Sequence, residues 1–337
     1  MSDCPFRLDS ETNLWTCQQC GWVYPRQSEK PPRRNCPSAK KKSRGLGDTI
    51  AKITSAVGIK PCGGCKKRQK KLNKWFPYKD KDKQVIGTET PPDLPEVDAV
   101  IPLGNGCGWG DYEELRYALR SLETNLIGLR NVFVVGGKPE WLSSNAIHIP
   151  AEDIHKRNKD ANLLDKVLMA CLHPELSEWF VRLSDDQLIL HPTKLADMRP
   201  LFGNELNAPR SKNDKWFKRF DNTQKLLKKA GYETRNYDNH APMPVEKASF
   251  LRIAKEYDYQ KLPGCTINTL YYNAYGKLQA VPTGTQAGII SGTMDEDKVR
   301  RMMQRFRYLG YTDKGLSEAF KTVLQETFPT PSRFEKP

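Results

Sequence analysis

The sequence predicts a mixed α/β fold, a mostly parallel sheet with flanking helices, preceded by a small Cys-rich module. Beyond residue 96, apolar runs alternate with amphipathic helical patterns, which is typical of β-α-β units. The apolar runs end in glycine-rich or acidic turns, as strands do. Six of the nine cysteines precede residue 70, which predicts a separate N-terminal module.

The positive charge is concentrated in the first quarter of the chain. The 337 residues carry a formal net charge of +14. Residues 1–90 contain 20 Lys and Arg against 8 Asp and Glu, whereas residues 91–337 contain 34 against 32. This concentration favours a polyanion partner such as nucleic acid, and a solvated basic tail is the alternative. No apolar run approaches the roughly 20 residues of a membrane span, so we expect a cytoplasmic protein.

The clustered cysteines predict structural zinc. In a reducing compartment, CxxC spacing is more typical of zinc ligands than of disulfides. Residues 1–45 would form a zinc-binding module, because a bound metal can replace the core that a short Pro-rich segment lacks. The CxxC pair at 62 and 65 could complete a shared site, bind another metal or stay unligated. The candidate ligands are Cys4, Cys17, Cys20, Cys36, Cys62 and Cys65.

Residues 46–86 predict a basic helical hairpin with the second CxxC pair at its turn. The cations and aromatic rings after this turn suit phosphates and exposed bases. The rings could equally form the small core of the hairpin. The candidate nucleic-acid-binding residues are Lys66, Lys67, Arg68, Lys70, Lys71 and Trp75. The Pro-rich residues 87–96 predict a linker.

The α/β pattern occupies residues 97–290. The strands VDAVIPL, NVFVVGG and EWFVRLSDDQLIL are separated by the helical patterns YEELRYALRSL and ANLLDKVLMACL. Ligands of such sheets bind beyond the carboxyl ends of the strands, where Asp185 and Asp186 would lie. A solvated turn is the alternative for this pair. Residues 291–337 predict two helices separated by Gly310, with no catalytic role.

Three stretches carry a resemblance to a known family. They are ELRYALRSLETNLIGLRNVFVVGGKPEWL from residue 114, FVRLSDDQLIL from residue 180 and NHAPMPVEK from residue 239. They resemble blocks of the Stealth group of sugar-transferring proteins, whose catalytic domain is a variant of the GT-A glycosyltransferase fold. The resemblance covers about residues 97–275 and implies a GT-A-like domain.

The acidic turn also resembles the DxD-type motif of GT-A enzymes. The resemblance implies that Asp186 binds Mg²⁺ or Mn²⁺ and that Asp185 contacts the donor ribose or a metal-bound water. Such a cation would offset the charge of a nucleotide-sugar diphosphate and its leaving group. His240 would be a further metal ligand, a catalytic base or a structural histidine, and Asp238 is the other candidate base.

Two further segments are candidates for contacts to the nucleotide sugar. The end of the first strand is expected to face the nucleotide, with glycines permitting close backbone approach. The polar run 155–162 could supply further contacts or be a solvated loop. The candidate donor contacts are Gly104, Gly106, Asp111, Arg157, Asn158, Asn162 and Asp185. Asp98 is expected to begin a strand rather than to bind a ligand.

The acceptor is predicted from residues 209–229 and from the basic module. The first segment would line an acceptor groove through Lys215, Trp216, Lys218 and Arg219, or form an amphipathic helix with its rings packed inward. The segment CGGCKKRQ resembles segments of small basic zinc modules found in phages. Phages glycosylate hydroxymethylated pyrimidines in their own DNA. We therefore expect a UDP-linked donor and a 5-hydroxymethylpyrimidine acceptor in DNA, in the host cytoplasm if the protein is phage-encoded.

Two departures from the Stealth pattern bear on the reaction. PGCTINTLYYNAYG replaces an Arg-rich motif, and PLGNGCGWGD replaces an acidic first loop. The loss of the phosphate-holding arginine favours plain glycosyl transfer. The alternatives are a Stealth-type sugar-1-phosphate or polysaccharide glycosyltransferase, and a zinc-dependent nucleic-acid-binding protein with an inactive transferase domain.

Overall fold

The computed structural model describes residues 6–8, 15–17, 87–104, 109–203 and 215–336. The chain divides into two compact units, Met1–Asp80 and Lys81–Pro337. In the first unit, β1 (Phe6–Leu8) and β2 (Trp15–Cys17) form an antiparallel pair. Several predicted site residues lie outside the described residues: Cys4, Cys20, Cys36, Cys62, Cys65, Lys66, Lys67, Arg68, Lys70, Lys71, Trp75 and Gly106.

A five-stranded sheet forms the centre of the second unit. Its strands are β3 (Val97–Leu103), β4 (Leu129–Gly136), β5 (Ile147–Pro150), β6 (Trp179–Arg182) and β9 (Met243–Glu246). Their order is β5-β4-β3-β6-β9, and only β9 runs antiparallel to its neighbour. β3 is buried along its whole length, as expected of a central strand covered on both faces. The predicted mixed α/β fold with a mostly parallel sheet is confirmed.

Two helices make the connections between the parallel strands. α1 (Glu113–Asn125) leads from β3 to β4, and its predicted apolar face is fully buried. α2 (Lys159–Cys171) leads from β5 to β6. Its first residue follows Asn158, whose side chain accepts a hydrogen bond from the Ala161 amide and so caps the helix.

A second sheet receives the chain directly after the acidic turn. It contains β7 (Gln187–Ile189), β11 (Ala287–Ile290) and β12 (Tyr308–Tyr311), in the order β11-β12-β7. The segment EWFVRLSDDQLIL, which we predicted as one strand, therefore forms two strands in two sheets. The prediction of one strand was wrong because both halves are apolar, and apolarity alone does not reveal a change of sheet. A short parallel pair, β8 (Leu201–Phe202) with β10 (Val281–Pro282), lies elsewhere in the unit.

The remaining helices surround these sheets. They are α3 (Lys215–Ala230), α4 (Lys247–Phe250), α5 (Ile253–Glu256), α6 (Ile267–Ala274), α7 (Glu296–Arg305) and α8 (Glu318–Thr327). None of the helices that the structure describes is long and apolar enough to cross a membrane.

The C-terminal region contains a strand that the sequence did not predict. Gly310 lies inside β12 rather than in a break between two helices. Val299 of α7, Leu309 of β12 and Phe320 of α8 share one apolar core with Tyr117 of α1 and Leu188 of β7. This core is why residues 308–311 form a strand, since pairing with β7 and β11 also satisfies their backbone groups. The C-terminal region is thus part of the second unit.

Glu89 of the predicted linker forms backbone hydrogen bonds with residues 277–279. Its amide donates to the Lys277 carbonyl, and its own carbonyl accepts from the Gln279 amide. This short parallel bridge fixes the beginning of the described segment on the second unit.

The last residues of the chain are held to α1 by a buried carboxylate. Glu335, whose side chain is fully buried, accepts hydrogen bonds from Arg116 and from two nitrogens of Arg120. It also accepts from the Ser332 amide. This arrangement satisfies both carboxylate oxygens in a place that water does not reach.

Replacing this carboxylate should destabilise the second unit. Glu335→Gln removes the charge that Arg116 and Arg120 share, and we expect it to lower the free energy of unfolding by about 3 kcal/mol. Thermal unfolding would show this as a lower Tm. Glu326→Gln is the matched control, because Glu326 pairs with Arg300 at an exposed site and exposed pairs contribute little. An equal effect of the two substitutions would contradict this account.

Candidate functional site

A cavity of about 610 Å³ lies beyond the carboxyl ends of β3 and β6. Its volume is in the range of small-ligand sites. The walls come from the ends of these strands, from the first half of α2, from α3 and from residues 236–240. The predicted site residues that line it are Gly104, Asn162, Asp185, Asp186, Trp216, Arg219, Asp238 and His240.

The acidic turn is held at the floor of this cavity by both of its neighbouring strands. The Tyr311 amide of β12 donates to the Asp186 carbonyl at 3.2 Å. The Ser184 amide donates to the Gln187 side chain at 3.1 Å. These bonds occupy backbone groups, so the two carboxylates remain directed to the cavity that they line.

Asp186 has one occupied and one unoccupied carboxylate oxygen. Its Oδ2 lies 3.2 Å from Nδ1 of His240. Its Oδ1 is buried and has no hydrogen-bond partner among the described residues. A buried oxygen without a partner is costly, which points to a ligand at this position.

Burial favours the neutral form of Asp185. Together with the charge of the neighbouring Asp186, it raises the pKa of Asp185 to about 7. The hydrogen bond to Asp186 raises the pKa of His240 above its ordinary value. A cation bound at the pair would instead favour the ionised carboxylates.

The residues fit a cation that shares its coordination with a substrate. Among the described residues, no three His, Cys, Asp or Glu side chains converge as a protein-only metal site. Mg²⁺ and its analogues are commonly held by one or two carboxylates together with waters and substrate phosphates. Asp186, with its unpaired Oδ1, and Asp185 match that donor set. The role of His240 as a separate metal ligand stays a prediction.

Asp238 and α3 form the opposite wall. The Trp216 indole N–H donates to Oδ2 of Asp238, and the Trp216 ring stacks on Phe220 with 5.3 Å between centroids. Arg219 makes an ion pair with Asp160. Burial raises the pKa of Asp160 to about 6, although Arg219 opposes this shift.

The basic segment around α3 combines the two predicted arrangements. Trp216 and Arg219 line the cavity, whereas Phe220 is buried in the protein. Lys215 and Lys218 are exposed and do not line the cavity. One helix therefore contributes to both the core and the site.

Several predicted donor contacts either lie outside the cavity lining or have side chains already bonded within the protein. Asp111 is held through its carbonyl, which accepts from the Trp141 indole at 2.8 Å. Arg157 is exposed, and Asn158 caps α2 and donates to the Tyr259 carbonyl. Asn162 lines the cavity, but its side chain bonds both backbone groups of His155. The polar run thus fixes a loop and a helix end.

The cavity also contains charged residues that our sequence analysis did not single out. Lys166 and Arg182 are both buried, the first on α2 and the second on β6. In the sequence, each is a single charged residue in an otherwise apolar pattern, Lys166 on a helix face and Arg182 in a strand. Such a residue is usually paired with an opposite charge or has a function. Asp153, Asp160, Asn236, Asn239 and Asn268 also line the cavity.

Gly310 places His240 beside the acidic pair. A Cβ at position 310 would lie 2.3 Å from Cβ of His240 and 2.4 Å from its carbonyl oxygen. Gly310 also pairs with Gln187, the residue that follows Asp186. The strand β12 therefore contacts both segments that form the Asp186–His240 hydrogen bond. The C-terminal strand therefore positions the site.

We predict that Gly310→Ala separates His240 from Asp186. The loss of this hydrogen bond should return the pKa of His240 toward its ordinary value, as measured by NMR titration of the histidine ring. Gly284→Ala is the control, because a Cβ there meets no atom within 4 Å. An unchanged His240 titration in Gly310→Ala would refute the positioning role.

We also predict that Asp185→Asn stabilises the protein in the absence of divalent cations. Since the pKa of Asp185 is raised in the folded state, its stabilising neutral form is fully populated below about pH 4 and is lost as pH rises through 7. The Tm gain of the variant should therefore be near zero at pH 4 and reach a few degrees at pH 8.

A carboxylate with the opposite shift provides the control for that experiment. Asp295 caps α7, and its bonds to Lys298 lower its pKa. Asp295→Ala should lower the Tm at pH 8, with a difference that shrinks as pH falls. A pH-independent gain for Asp185→Asn would contradict the assigned burial of its charge.

Comparison with known proteins adds no family assignment. No protein-family model matches the chain, and no curated protein is significantly similar to it. The functional inference therefore rests on the side chains of the cavity and on the motifs of the sequence.

Proposed function

We propose that this protein is a metal-dependent glycosyltransferase that uses a nucleotide-sugar donor. The single observation that carries the proposal is the acidic pair in the cavity at the strand ends, with Oδ1 of Asp186 buried and unpaired among the described residues. In the mostly parallel sheet, this is the position where α/β proteins bind ligands. The resemblance of the same residues to Stealth and GT-A motifs supports sugar transfer.

The acidic pair would hold the cofactor and the donor together. Asp186 and Asp185 would bind Mg²⁺ or Mn²⁺, which when bound supplies charge compensation for the diphosphate and for the departing nucleotide. Gly104 follows β3 at the cavity, and a Cβ there would meet no atom of the described residues within 4 Å. This open space lets the donor approach the backbone.

Asp238 is the better of the two predicted bases. The hydrogen bond to Asp186 raises the pKa of His240 and so favours its charged form, which cannot accept a proton. The Trp216 indole orients Asp238 through Oδ2. Asp238 would then remove the proton of the acceptor hydroxyl in an inverting transfer, whereas His240 would stabilise Asp186.

We propose DNA carrying a 5-hydroxymethylpyrimidine as the acceptor. The concentrated positive charge of residues 1–90 and their paired cysteines support a zinc-bearing module that binds a polyanion. Trp216 at the cavity offers an aromatic surface for a base taken out of its stack. The extruded pyrimidine would then present its hydroxymethyl group to Asp238.

Sugar-1-phosphate transfer is the second candidate function. Arg182 and Arg219 line the cavity and could assist a phosphoryl group, although the Arg-rich motif of the Stealth proteins is replaced. The two reactions differ in product, since glycosyl transfer releases a nucleoside diphosphate and sugar-phosphate transfer releases a nucleoside monophosphate.

The test is mass spectrometry of nucleosides from modified DNA. The protein is incubated with Mn²⁺, a panel of nucleotide sugars, and DNA with or without hydroxymethylated pyrimidines. We expect a hexose-sized mass gain only on the modified base. Asp186→Asn should slow it on the order of 100-fold or more, the effect typical of losing one electrostatic stabiliser. Asp221→Asn, which changes a half-exposed carboxylate paired with Lys225 on α3, is the control.

The products separate the proposal from its alternatives. Transfer of a sugar phosphate to a glycan acceptor, with release of a nucleoside monophosphate, would replace glycosyl transfer with sugar-phosphate transfer. DNA binding without turnover of any donor would indicate an inactive transferase domain.

A further inference from the structure

We propose that Arg182 is an oxyanion-binding residue at the floor of the cavity. This inference deepens the proposed function and rests on it, because the oxyanion would belong to the donor. It would be either a phosphate of the diphosphate linkage or a carboxylate on the transferred sugar. These two sources present the same chemistry to a guanidinium.

The position of Arg182 is unusual for a charged side chain. It ends β6 in the middle of the sheet, paired with Val100 of β3 and Met243 of β9. Its relative exposure is only 7 %, yet it lines the cavity together with the acidic turn that begins two residues later. A guanidinium keeps its charge even when buried, so its location needs a compensating interaction.

The described residues provide few hydrogen bonds or ion pairs to offset the charge of Arg182. Nη1 donates to Oδ1 of Asn268 at 2.6 Å, and this is the only hydrogen bond of the guanidinium to a described residue. Nε is buried and has no hydrogen-bond partner in the described part of the chain. No described carboxylate forms an ion pair with Arg182, although Asp160, Asp186 and Asp238 are near enough to affect it electrostatically. Most of its five N–H donors are therefore unused.

The other cations of the lining are differently placed. Lys166 donates to the Leu103 carbonyl at 2.6 Å and pairs with Asp153 at 2.6 Å. Arg219 pairs with Asp160. Lys159 is exposed rather than buried. Among the described residues of the cavity, Arg182 is thus the buried cation with donors left for a ligand.

The charge of the lining indicates what kind of anion can enter. Five aspartates and four Lys or Arg residues line the cavity: Asp153, Asp160, Asp185, Asp186, Asp238, Lys159, Lys166, Arg182 and Arg219. This balance does not attract a bare anion. An oxyanion that carries a divalent cation fits better. Asp186 would then contact the cation, and Arg182 would contact the oxyanion.

The first test is binding of inorganic pyrophosphate in excess Mg²⁺, measured by isothermal titration calorimetry. Arg182→Met should weaken binding about 10- to 100-fold, as expected for the loss of charge-assisted hydrogen bonds, and Arg182→Lys should give an intermediate loss. Without ligand, Arg182→Met should not lower the Tm, because it removes a buried charge that lacks an ion-pair partner. A purely structural arginine would lower it.

The control is an arginine that is well paired and distant from the cavity lining. Arg120→Met breaks the contacts to Glu335 and should lower the Tm while leaving pyrophosphate affinity unchanged. This control separates general destabilisation from the loss of an anion contact.

The second test distinguishes the two oxyanion sources. If the contact is to the sugar, pyrophosphate affinity survives in Arg182→Met, and only UDP-glucuronate, compared with UDP-glucose, loses affinity. Unchanged affinity for all three compounds would overturn the proposal. Pyrophosphate can bind without any sugar being transferred. If pyrophosphate binding depends on Arg182 but the protein transfers no sugar, the proposed function is refuted and the anion-binding role of Arg182 stands.

Discussion

The change of sheet at residues 184–186 is the constraint on which the site depends. β6 belongs to the central sheet and β7 to the second sheet, so the chain must turn where both sheets approach each other. The Tyr311 amide fixes the Asp186 carbonyl in this turn. A turn on a flexible loop could relax to hydrate its carboxylates, whereas one held by two sheets keeps them at the cavity floor. Strand pairing therefore fixes the position of the carboxylates of Asp185 and Asp186 at the cavity.

Charge burial is the second constraint, and it follows from the first. Arg182 ends a central strand between layers of apolar side chains and is buried, and the carboxylate of Asp185, three residues later, is desolvated. Their charges are too poorly paired to favour folding. Proteins retain such groups where a ligand compensates for them, and the stability lost in the unliganded protein becomes affinity for that ligand.

The sequence predicted those features that depend on local patterns. β3 occupies the residues of VDAVIPL, and the predicted face of α1 is buried, because apolar periodicity directly reflects burial. The acidic turn was found because it follows an apolar run of the α/β pattern, and such sheets bind ligands beyond the carboxyl ends of their strands. The roles of Gly310 and Arg182 could not be found in this way. Both depend on contacts between segments more than 50 residues apart, such as Gly310 against His240 and Arg182 against Asn268.

The same reasoning explains why local polarity was a poor guide to donor contacts. Asn158 and Asn162 have the side chains expected of ligand-binding residues, but the end of α2 uses them to satisfy its own backbone and that of His155. Helix ends carry unpaired amides that must be bonded somewhere, and a nearby asparagine meets that need first. A polar residue thus becomes available to a ligand only where the backbone around it is already paired. Asp186 satisfies this condition, because its turn is paired to β12 before any ligand arrives.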